Sequence, residues 1–158
     1  CQVEVLTPDF MGDWDALATV VEARPVVLNH NIETVPRLYG RVRPKARYER
    51  SLELIRRVTE LSSEVATKSG VMVGLGESRE ELRATLADLV EHGCQLLTVG
   101  QYLQPTRKHL RVARFYHPDE FHEIAEEARA LGFVHAESGP LVRSSYHAGR
   151  VAKSLRFG

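Results

Sequence analysis

A polar segment, Asn29-His30-Asn31-Ile32-Glu33-Thr34, places two amides and a carboxylate directly after a short apolar run. Amide and carboxylate oxygens accept hydrogen bonds from hydroxyl groups, so the segment is suited to holding a ligand such as a ribose diol. The same pattern is also typical of a polar turn in which Asn31 or Thr34 caps a helix. The residues alone leave both interpretations open.

A second segment, Gly70-x-Met72-x-Gly74-x-x-Glu77, places glycines at alternate positions of a predicted strand. Glycines in this arrangement allow a flat ligand to approach the backbone. Without a third glycine the pattern is only a weak indication of a dinucleotide site. A strand that ends in a tight turn is the simpler interpretation.

A third segment, Arg143-Ser144-Ser145-Tyr146-His147, combines a cation with two hydroxyls and a histidine. An arginine beside hydroxyls suits an anion, and a serine near a histidine suits a nucleophile. The segment has no Gly-x-Ser-x-Gly elbow, and a solvated tail is the alternative interpretation.

Single residues give weaker indications of chemistry. Lys68 is a candidate Schiff-base nucleophile on a barrel strand, but its place near the strand start favours a structural role or an ionic contact. The seven histidines contain no helical His-x-x-x-His pair with an acid between, so they do not predict a zinc site.

Charge is unevenly distributed, although the 21 basic and 21 acidic residues cancel. Basic residues cluster within residues 37–50 and again within residues 107–114, while acids concentrate within residues 119–127. Such runs are typical of solvated faces, and local segregation can also guide an acidic protein partner. The neutral total gives no support for general nucleic-acid binding.

The elements that must position these residues alternate along the chain. Apolar runs predict strands at residues 3–6, 25–28, 69–75, 95–101 and 132–135, and helical spacing predicts helices at residues 14–21, 48–61, 79–92 and 118–131. This alternation predicts an α/β fold with a parallel sheet. Because ligands of such folds bind beyond the carboxyl ends of strands, residues 29–31, 74–77 and 101–104 should lie around one mouth.

Length and composition bound the class of protein. The chain has 158 residues, 43% hydrophobic and 27% charged, which is typical of a soluble globular chain of one domain or part of one. No apolar run reaches the ~20 residues of a membrane span, and no signal peptide opens the chain. Two cysteines, Cys1 and Cys94, cannot form a disulfide framework or a cysteine-rich metal site. A Cys at position 1 leads us to expect a processed product or a fragment.

Four segments in this order and spacing resemble lipoyl synthase, a family of radical S-adenosylmethionine enzymes: residues 29–34, 67–77, 100–105 and 138–146. The first segment is also similar to the corresponding turn of biotin synthase. The resemblance implies that residues 1–158 are the carboxyl-terminal part of a radical SAM barrel domain. Its parallel βα units would form the second half of a partial (β/α)6 TIM-like barrel, with residues 139–158 as a carboxyl-terminal extension carrying the Arg-Ser-Ser-Tyr motif.

The family's chemistry follows as an expectation. Its members bind S-adenosylmethionine and two 4Fe-4S clusters. One cluster cleaves S-adenosylmethionine to a radical that removes hydrogen from C6 and C8 of a protein-bound octanoyl chain, and the auxiliary cluster is consumed as the sulfur donor. The resemblance implies an octanoylated lipoyl carrier domain or glycine cleavage H protein as partner, with ferredoxin or flavodoxin as electron donor. It implies neither nucleic acid nor membrane, and a cytoplasmic location, or a mitochondrial one in a eukaryote.

The resemblance also assigns residues to the cofactor. Asn31 and Glu33 would hold the ribose and methionine parts of S-adenosylmethionine, with Asn29 at the same mouth. Met72 would face the adenine, and Tyr102 or Leu103 would cover its other side. The further cofactor-binding candidates are Arg50, Lys68, Ser69 and Gln101.

The implied catalytic residues are Ser145, as an oxygen ligand to the auxiliary cluster iron, and Arg143, with Ser144 as the fallback ligand. The family's triplets Cys-x3-Cys-x2-Cys and Cys-x4-Cys-x5-Cys do not occur, so the chain alone should lack both clusters and activity. We expect Cys94 to be buried as a small apolar residue. The alternative function is a cluster-free binding module that engages an acidic carrier protein through residues 37–50.

Overall fold

A computed structural model gives the fold and describes residues 2–144. Five strands form one parallel sheet in chain order: β1 Glu4–Leu6, β2 Val27–Asn29, β3 Ala66–Val73, β4 Leu96–Gln101 and β5 His135–Gly139. The connections contain helices α1 Trp14–Glu22, α2 Tyr39–Val42, α3 Tyr48–Leu61, α4 Arg79–Glu91 and α5 Pro118–Leu131. The predicted α/β class with parallel crossover units is confirmed. Strands in sequential order are typical of barrels rather than of doubly wound sheets.

The register of the strands decides which face each side chain occupies. Parallel partners share a face, so Val71 and Val99 lie together, buried against the helices. Gly70 and Met72 lie on the opposite face, beside Thr98 and Gly100 of β4. This second face carries the candidate site.

Helix ends follow the predicted local chemistry. Asp13 caps α1 by accepting a hydrogen bond from Ala16 N–H, and Ser78 and Glu81 form a complete capping box at the start of α4. Gly132 ends α5 at a φ of 121°, a conformation that a side chain rarely tolerates. These ends fix the helix lengths, and so the places where the chain re-enters the sheet.

Among the strand starts, those of β3 and β5 differ most from the prediction. β3 begins at Ala66, three residues earlier, because the polar Thr67 is buried with its hydroxyl donating to the Gly93 carbonyl. β5 begins only at His135, because Phe133 turns into the helix-side core. Among residues 2–144, no helix has the length and apolar character needed to cross a membrane.

Candidate functional site

A cavity of about 670 Å³ opens at the carboxyl ends of the strands. Its wall includes Asn31 and Glu33 after β2, Met72 on β3, Gly100 on β4 and Arg143 after β5. Side chains from distant parts of the sequence therefore meet at one mouth, as the parallel topology requires.

The turn from Asn31 to Glu33 is attached to the edge of β3. Glu33 N–H donates to the Gly70 carbonyl at 2.9 Å, and the Glu33 carbonyl accepts from Met72 N–H at 2.8 Å. Glu33 itself has a φ of 69°, in the left-handed region that residues with side chains seldom adopt. Such strain persists only where surrounding contacts impose it, and it is concentrated at functional sites.

Two side chains that sequence reasoning missed hold the carbonyls of this turn. The Tyr39 hydroxyl donates to the Ile32 carbonyl at 2.8 Å, and the Arg43 guanidinium donates to the Asn31 carbonyl at 2.9 Å. Arg43 also lies 3.3 Å from the Tyr39 hydroxyl oxygen. The sequence showed Arg43 only as one member of a basic cluster, because the four-residue helix α2 has no periodic signature.

The polar groups of the turn are only partly satisfied by protein. Burial raises the pKa of the Glu33 carboxyl, while its hydrogen bond to the Asn31 side chain and the nearby Arg43 charge act in the opposite direction. Within residues 2–144, buried Asn31 Oδ1 has no hydrogen-bond partner. A buried acceptor without a donor costs about 1–3 kcal/mol, which a ligand donor can recover.

Gly70 leaves room for the Asn31 Oδ1 atom because it has no side chain. A Cβ at position 70 would lie 2.7 Å from Asn31 Oδ1, closer than real Cβ contacts allow. Gly74 has a different role, since its φ of 95° belongs to a turn in which Glu77 accepts from the N–H groups of Gly74 and Leu75. The interpretation of both glycines as a platform for a flat ligand is therefore wrong at Gly74, where the tight turn explains the residue.

The predicted adenine contacts share the same cavity. Met72, Tyr102 and Leu103 all line it, and Leu103 is 47% exposed at the rim. The Tyr102 hydroxyl donates to the Leu110 carbonyl at 2.9 Å, so the ring is fixed in its orientation. These three side chains contribute apolar surface to the wall, together with others such as Leu75 and Leu110.

Gln101 lines the cavity, yet its amide is used by the protein. Its Oε1 accepts from Tyr116 N–H at 3.0 Å, and its Nε2 donates to the carbonyls of Tyr102 and Arg114. The side chain therefore fixes the loop of residues 102–116 over the sheet. Because its amide is bonded to the protein, Gln101 does not offer the cofactor the free amide that the family resemblance had implied.

Four predicted cofactor residues lie outside the cavity wall: Asn29, Arg50, Lys68 and Ser69. Ser69 occupies the helix-covered face and accepts a hydrogen bond from Ile32 N–H. Arg50 pairs with Asp9, and Asn29 is buried beside Lys68 in the neighbouring strand.

Lys68 is only 1% exposed, and its ammonium lies 2.8 Å from Glu4. A Schiff-base nucleophile must be reachable by its substrate, whereas this ammonium is buried and paired with a carboxylate. The ionic contact predicted as the alternative role is confirmed, and the nucleophile interpretation is wrong.

The carboxyl-terminal motif is only partly described. Arg143 and Ser144 line the cavity, and Ser145, the predicted cluster ligand, lies outside the described residues. The Arg143 guanidinium donates to the Val142 carbonyl at 2.7 Å. The Val142 carbonyl in turn packs directly over Gly100, where a Cβ would not fit.

The described part of the chain offers no set of ligands for a cluster. Across residues 2–144, no three His, Cys, Asp or Glu side chains are grouped to hold a metal ion. Cys94 is buried as predicted, and desolvation raises the pKa of its thiol to about 12.

Comparisons with known proteins add to this geometry. The model of the Radical SAM superfamily matches residues 1–89. The chain is 59% identical over all 158 residues to a lipoyl synthase of Rubrobacter xylanophilus, and 60% identical over 146 residues to one of Symbiobacterium thermophilum. It covers 49% and 46% of those proteins, so it spans about half the length of the curated relatives it matches.

A likeness also exists among solved structures. A crystal structure of a Burkholderia cenocepacia J2315 protein assigned as a phosphonomutase superposes with a TM-score of 0.53. The match covers 97% of this chain and 60% of that one at 14% identity. At this identity the likeness shows the fold alone, which is TIM-barrel-like.

Proposed function

The chain belongs to the radical SAM superfamily, and from that premise we propose that it is the carboxyl-terminal half of a lipoyl synthase. The observation that carries the proposal is identity of 54–60% to lipoyl synthases over at least 92% of the chain. The cavity at the strand ends supports it, because it gathers the residues that the family resemblance assigns to the cofactor.

The donor and acceptor groups of the cavity fit S-adenosylmethionine. The Glu33 carboxylate and Asn31 Oδ1 are acceptors that suit the hydroxyls of the ribose and the ammonium of the methionine part. Met72 and Tyr102 offer apolar surface to an adenine, with Leu103 at the rim. In partly buried surroundings, a hydrogen bond to these acceptors is stronger than the same bond in water.

The residues of this chain would bind and orient S-adenosylmethionine. The contacts of Tyr39 and Arg43 with the carbonyls of the turn hold Asn31 and Glu33 in place before a ligand arrives. A preformed site loses less free energy on binding, because fewer groups become ordered. When bound, S-adenosylmethionine and its cluster supply hydrogen abstraction at C6 and C8 of an octanoyl chain, and the auxiliary cluster supplies the two sulfurs.

In this proposal the cysteine ligands of both 4Fe-4S clusters come from the other half of the intact protein, and this chain alone is inactive. Ser145 would provide an oxygen ligand to the auxiliary cluster, with Ser144 as the fallback and Arg143 as the cation that precedes them in the sequence. A serine oxygen is a weaker ligand than a thiolate, which suits a cluster that is dismantled during turnover. The substrate would be an octanoylated lipoyl carrier domain or glycine cleavage H protein. Ferredoxin or flavodoxin would supply the electrons for cleavage of S-adenosylmethionine, in a reducing compartment such as the cytoplasm.

The proposal is tested on the intact protein, reconstituted anaerobically and supplied with S-adenosylmethionine, a reductant and octanoylated carrier domain. We expect 5′-deoxyadenosine and a lipoylated carrier, both measured by mass spectrometry. Iron–sulfur clusters that form without any deoxyadenosine would contradict the proposal.

The serine assignment has its own test. Ser145→Ala in the intact protein should reduce sulfur insertion far more than deoxyadenosine formation, because the residue would act on the auxiliary cluster alone. Ser144→Ala is the matched comparison: if the fallback residue and not Ser145 is the ligand, this variant should show the selective loss of sulfur insertion instead. If Ser145→Ala lowers both products equally, the assignment is wrong.

A further inference from the structure

Unpaired cations from two separate segments meet beside the cavity mouth, and we propose that they dock an acidic face of the protein domain that carries the acyl chain. The inference rests on the proposed function and adds a surface to it. We call this surface the basic rim, and its members are Arg41, Lys45, Arg47, Arg107, Lys108 and Arg111.

The two segments of the basic rim are neighbours in space. Arg41, which is in α2, and Lys108 both line the main cavity. Arg41 and Arg111 also line an adjoining depression of about 520 Å³, in which residues 37–41 face residues 109–113. The rim therefore reaches the entrance to the site from both segments, through Arg41 on one side and Lys108 and Arg111 on the other. Lys45, Arg47 and Arg107 belong to the same two exposed segments.

The members of the basic rim differ from the other cations of the same segments. Arg37 pairs with Glu81, Arg50 with Asp9, and Arg114 with Glu120. Arg43 donates to the backbone of the Asn31 turn. By contrast, within residues 2–144 the side chains of the rim are exposed and make no ion pair or hydrogen bond.

Acidic residues are nearly absent from both segments. Residues 34–50 contain six Lys and Arg against Glu49 alone, and residues 102–116 contain four Lys and Arg and no acid. The net charge of the chain is nevertheless zero, since acids collect elsewhere, as in α5. A local positive field on a neutral protein accelerates association with an acidic surface and orients it.

An acidic protein domain explains the position of the rim better than a nucleic acid does. Arg41 and Lys108 border a cavity whose wall is partly apolar, and beside the residues proposed for the adenine it includes Val42, Pro44, Pro105 and Leu110. A carrier domain held at the rim can present an attached apolar chain to that wall. A nucleic-acid backbone offers no apolar group for it.

The test uses the double variant Arg47→Glu/Arg111→Glu of the intact protein. It takes one cation from each segment, and neither residue lines the main cavity. The matched control, Arg24→Glu/Arg83→Glu, changes the net charge equally at exposed positions outside the rim. Two substrates are compared for each protein: the octanoylated carrier domain, and a short peptide with an octanoylated lysine.

We expect the double variant to raise KM for the carrier domain by about 10-fold or more at low salt, because charge complementarity is lost. The difference should shrink near ~0.5 M salt, where the Debye length is short. Turnover of the peptide should remain at the wild-type level, and the control should behave as wild type with both substrates.

Three other outcomes are decisive. An unchanged KM for the carrier domain, with normal peptide turnover, would overturn the docking surface and leave the proposed function intact. Failure of the wild-type protein to turn over either substrate would refute the proposed function itself. If a short RNA or DNA duplex binds through Arg47 and Arg111 while the KM for the carrier is unaffected, the rim serves a nucleic acid and the inference is wrong.

Discussion

The Lys68–Glu4 pair and the Asn31–Glu33 turn both contain buried polar atoms, but only the turn lines the cavity. The Lys68 ammonium forms an ion pair with the Glu4 carboxylate across the sheet, at 2.8 Å. The turn lines the cavity and holds Glu33 at a φ of 69°. Among the described residues, a buried oxygen without a hydrogen-bond partner occurs in both places, at Glu4 Oε2 and at Asn31 Oδ1. What distinguishes the turn is therefore its place in the cavity wall combined with an imposed backbone conformation.

The largest effect is expected from breaking the structural pair. Lys68→Ala should lower the free energy of unfolding of the intact protein by about 3–5 kcal/mol, because it leaves the Glu4 carboxylate poorly solvated and unpaired. Urea unfolding measures this loss. Lys68→Met combined with Glu4→Gln is the matched control, which removes both charges at similar volume and should recover most of the stability. A loss below about 1 kcal/mol would mean that solvent screens the pair like a surface ion pair.

The second prediction concerns the turn, where we expect a loss of ligand affinity without a loss of stability. Glu33→Gln should weaken S-adenosylmethionine binding about 10- to 100-fold, the loss expected for a hydrogen bond to a charged group. It should not lower the free energy of unfolding at pH 7. Burial raises the pKa of Glu33, so the folded protein loses stability as pH rises through that pKa, and glutamine is free of this cost.

Isothermal titration and urea unfolding of the same intact variant test both halves of the Glu33 prediction. Glu137→Gln is a comparison on β5, outside the residues that line the cavity, and it should retain cofactor affinity. Normal affinity combined with a large loss of stability in Glu33→Gln would assign Glu33 to the fold instead of the ligand.

A pH-dependent effect is expected where β2 enters the turn. His30 is buried between the Thr7 carbonyl and the Ser51 hydroxyl, and burial lowers the pKa of its imidazole. The unfolded chain therefore binds a proton more readily than the folded one below the ordinary pKa of about 6.5. Stability that is fully present above this pH should fall as the pH drops toward the folded-state pKa, by at most about 1.4 kcal/mol per pH unit.

Unfolding free energies between pH 7.5 and 5 test this dependence. His30→Gln should flatten the profile, although it lowers stability at neutral pH by disturbing the contacts with Thr7 and Ser51. His122 is exposed on α5, so His122→Gln should keep the wild-type slope. An unchanged slope in His30→Gln would assign the pH dependence to other groups.

The smallest effect concerns the support of the turn. Tyr39→Phe removes the donor to the Ile32 carbonyl and should cost about 1 kcal/mol of stability, with a several-fold loss of cofactor affinity. Tyr48→Phe removes a comparable hydroxyl, which bonds Asp88 away from the turn, and should cost stability without changing affinity. Equal affinities for the two variants would show that the turn does not depend on Tyr39.

Local chemistry explains why most elements were predictable. The capping box of Ser78 and Glu81 and the glycine that ends α5 depend on residues within a few positions of each other. The position of the mouth was also predictable, because parallel topology brings strand ends together. Its details were not: the partner of Lys68 lies 64 residues away, and the partners of Gln101 depend on the path of a loop.

In the candidate site, too, local features were predictable from the sequence and contacts between distant segments were not. Asn31 and Glu33 could be singled out as candidates because amides and acids after a strand are a local signal, and the family resemblance then assigned them to the cofactor. Arg43 and Tyr39 were missed, since their role depends on carbonyls of another segment, which have no side-chain signature. Arg50 and Ser69 were assigned to the cofactor by resemblance, whereas their position is set by Asp9 and by the helix-covered face of β3.

The central claim is that the Asn31–Glu33 turn holds S-adenosylmethionine while the Lys68–Glu4 pair holds the fold. The most direct test is equilibrium binding of S-adenosylmethionine to the intact, cluster-loaded protein. Asn31→Ala/Glu33→Gln should lose affinity by about 100-fold or more at near-normal stability. Lys68→Met/Glu4→Gln should bind within about twofold of wild type, since neither residue lines the cavity. Normal binding by the turn variant, or loss of binding by the folded pair variant, would contradict the account.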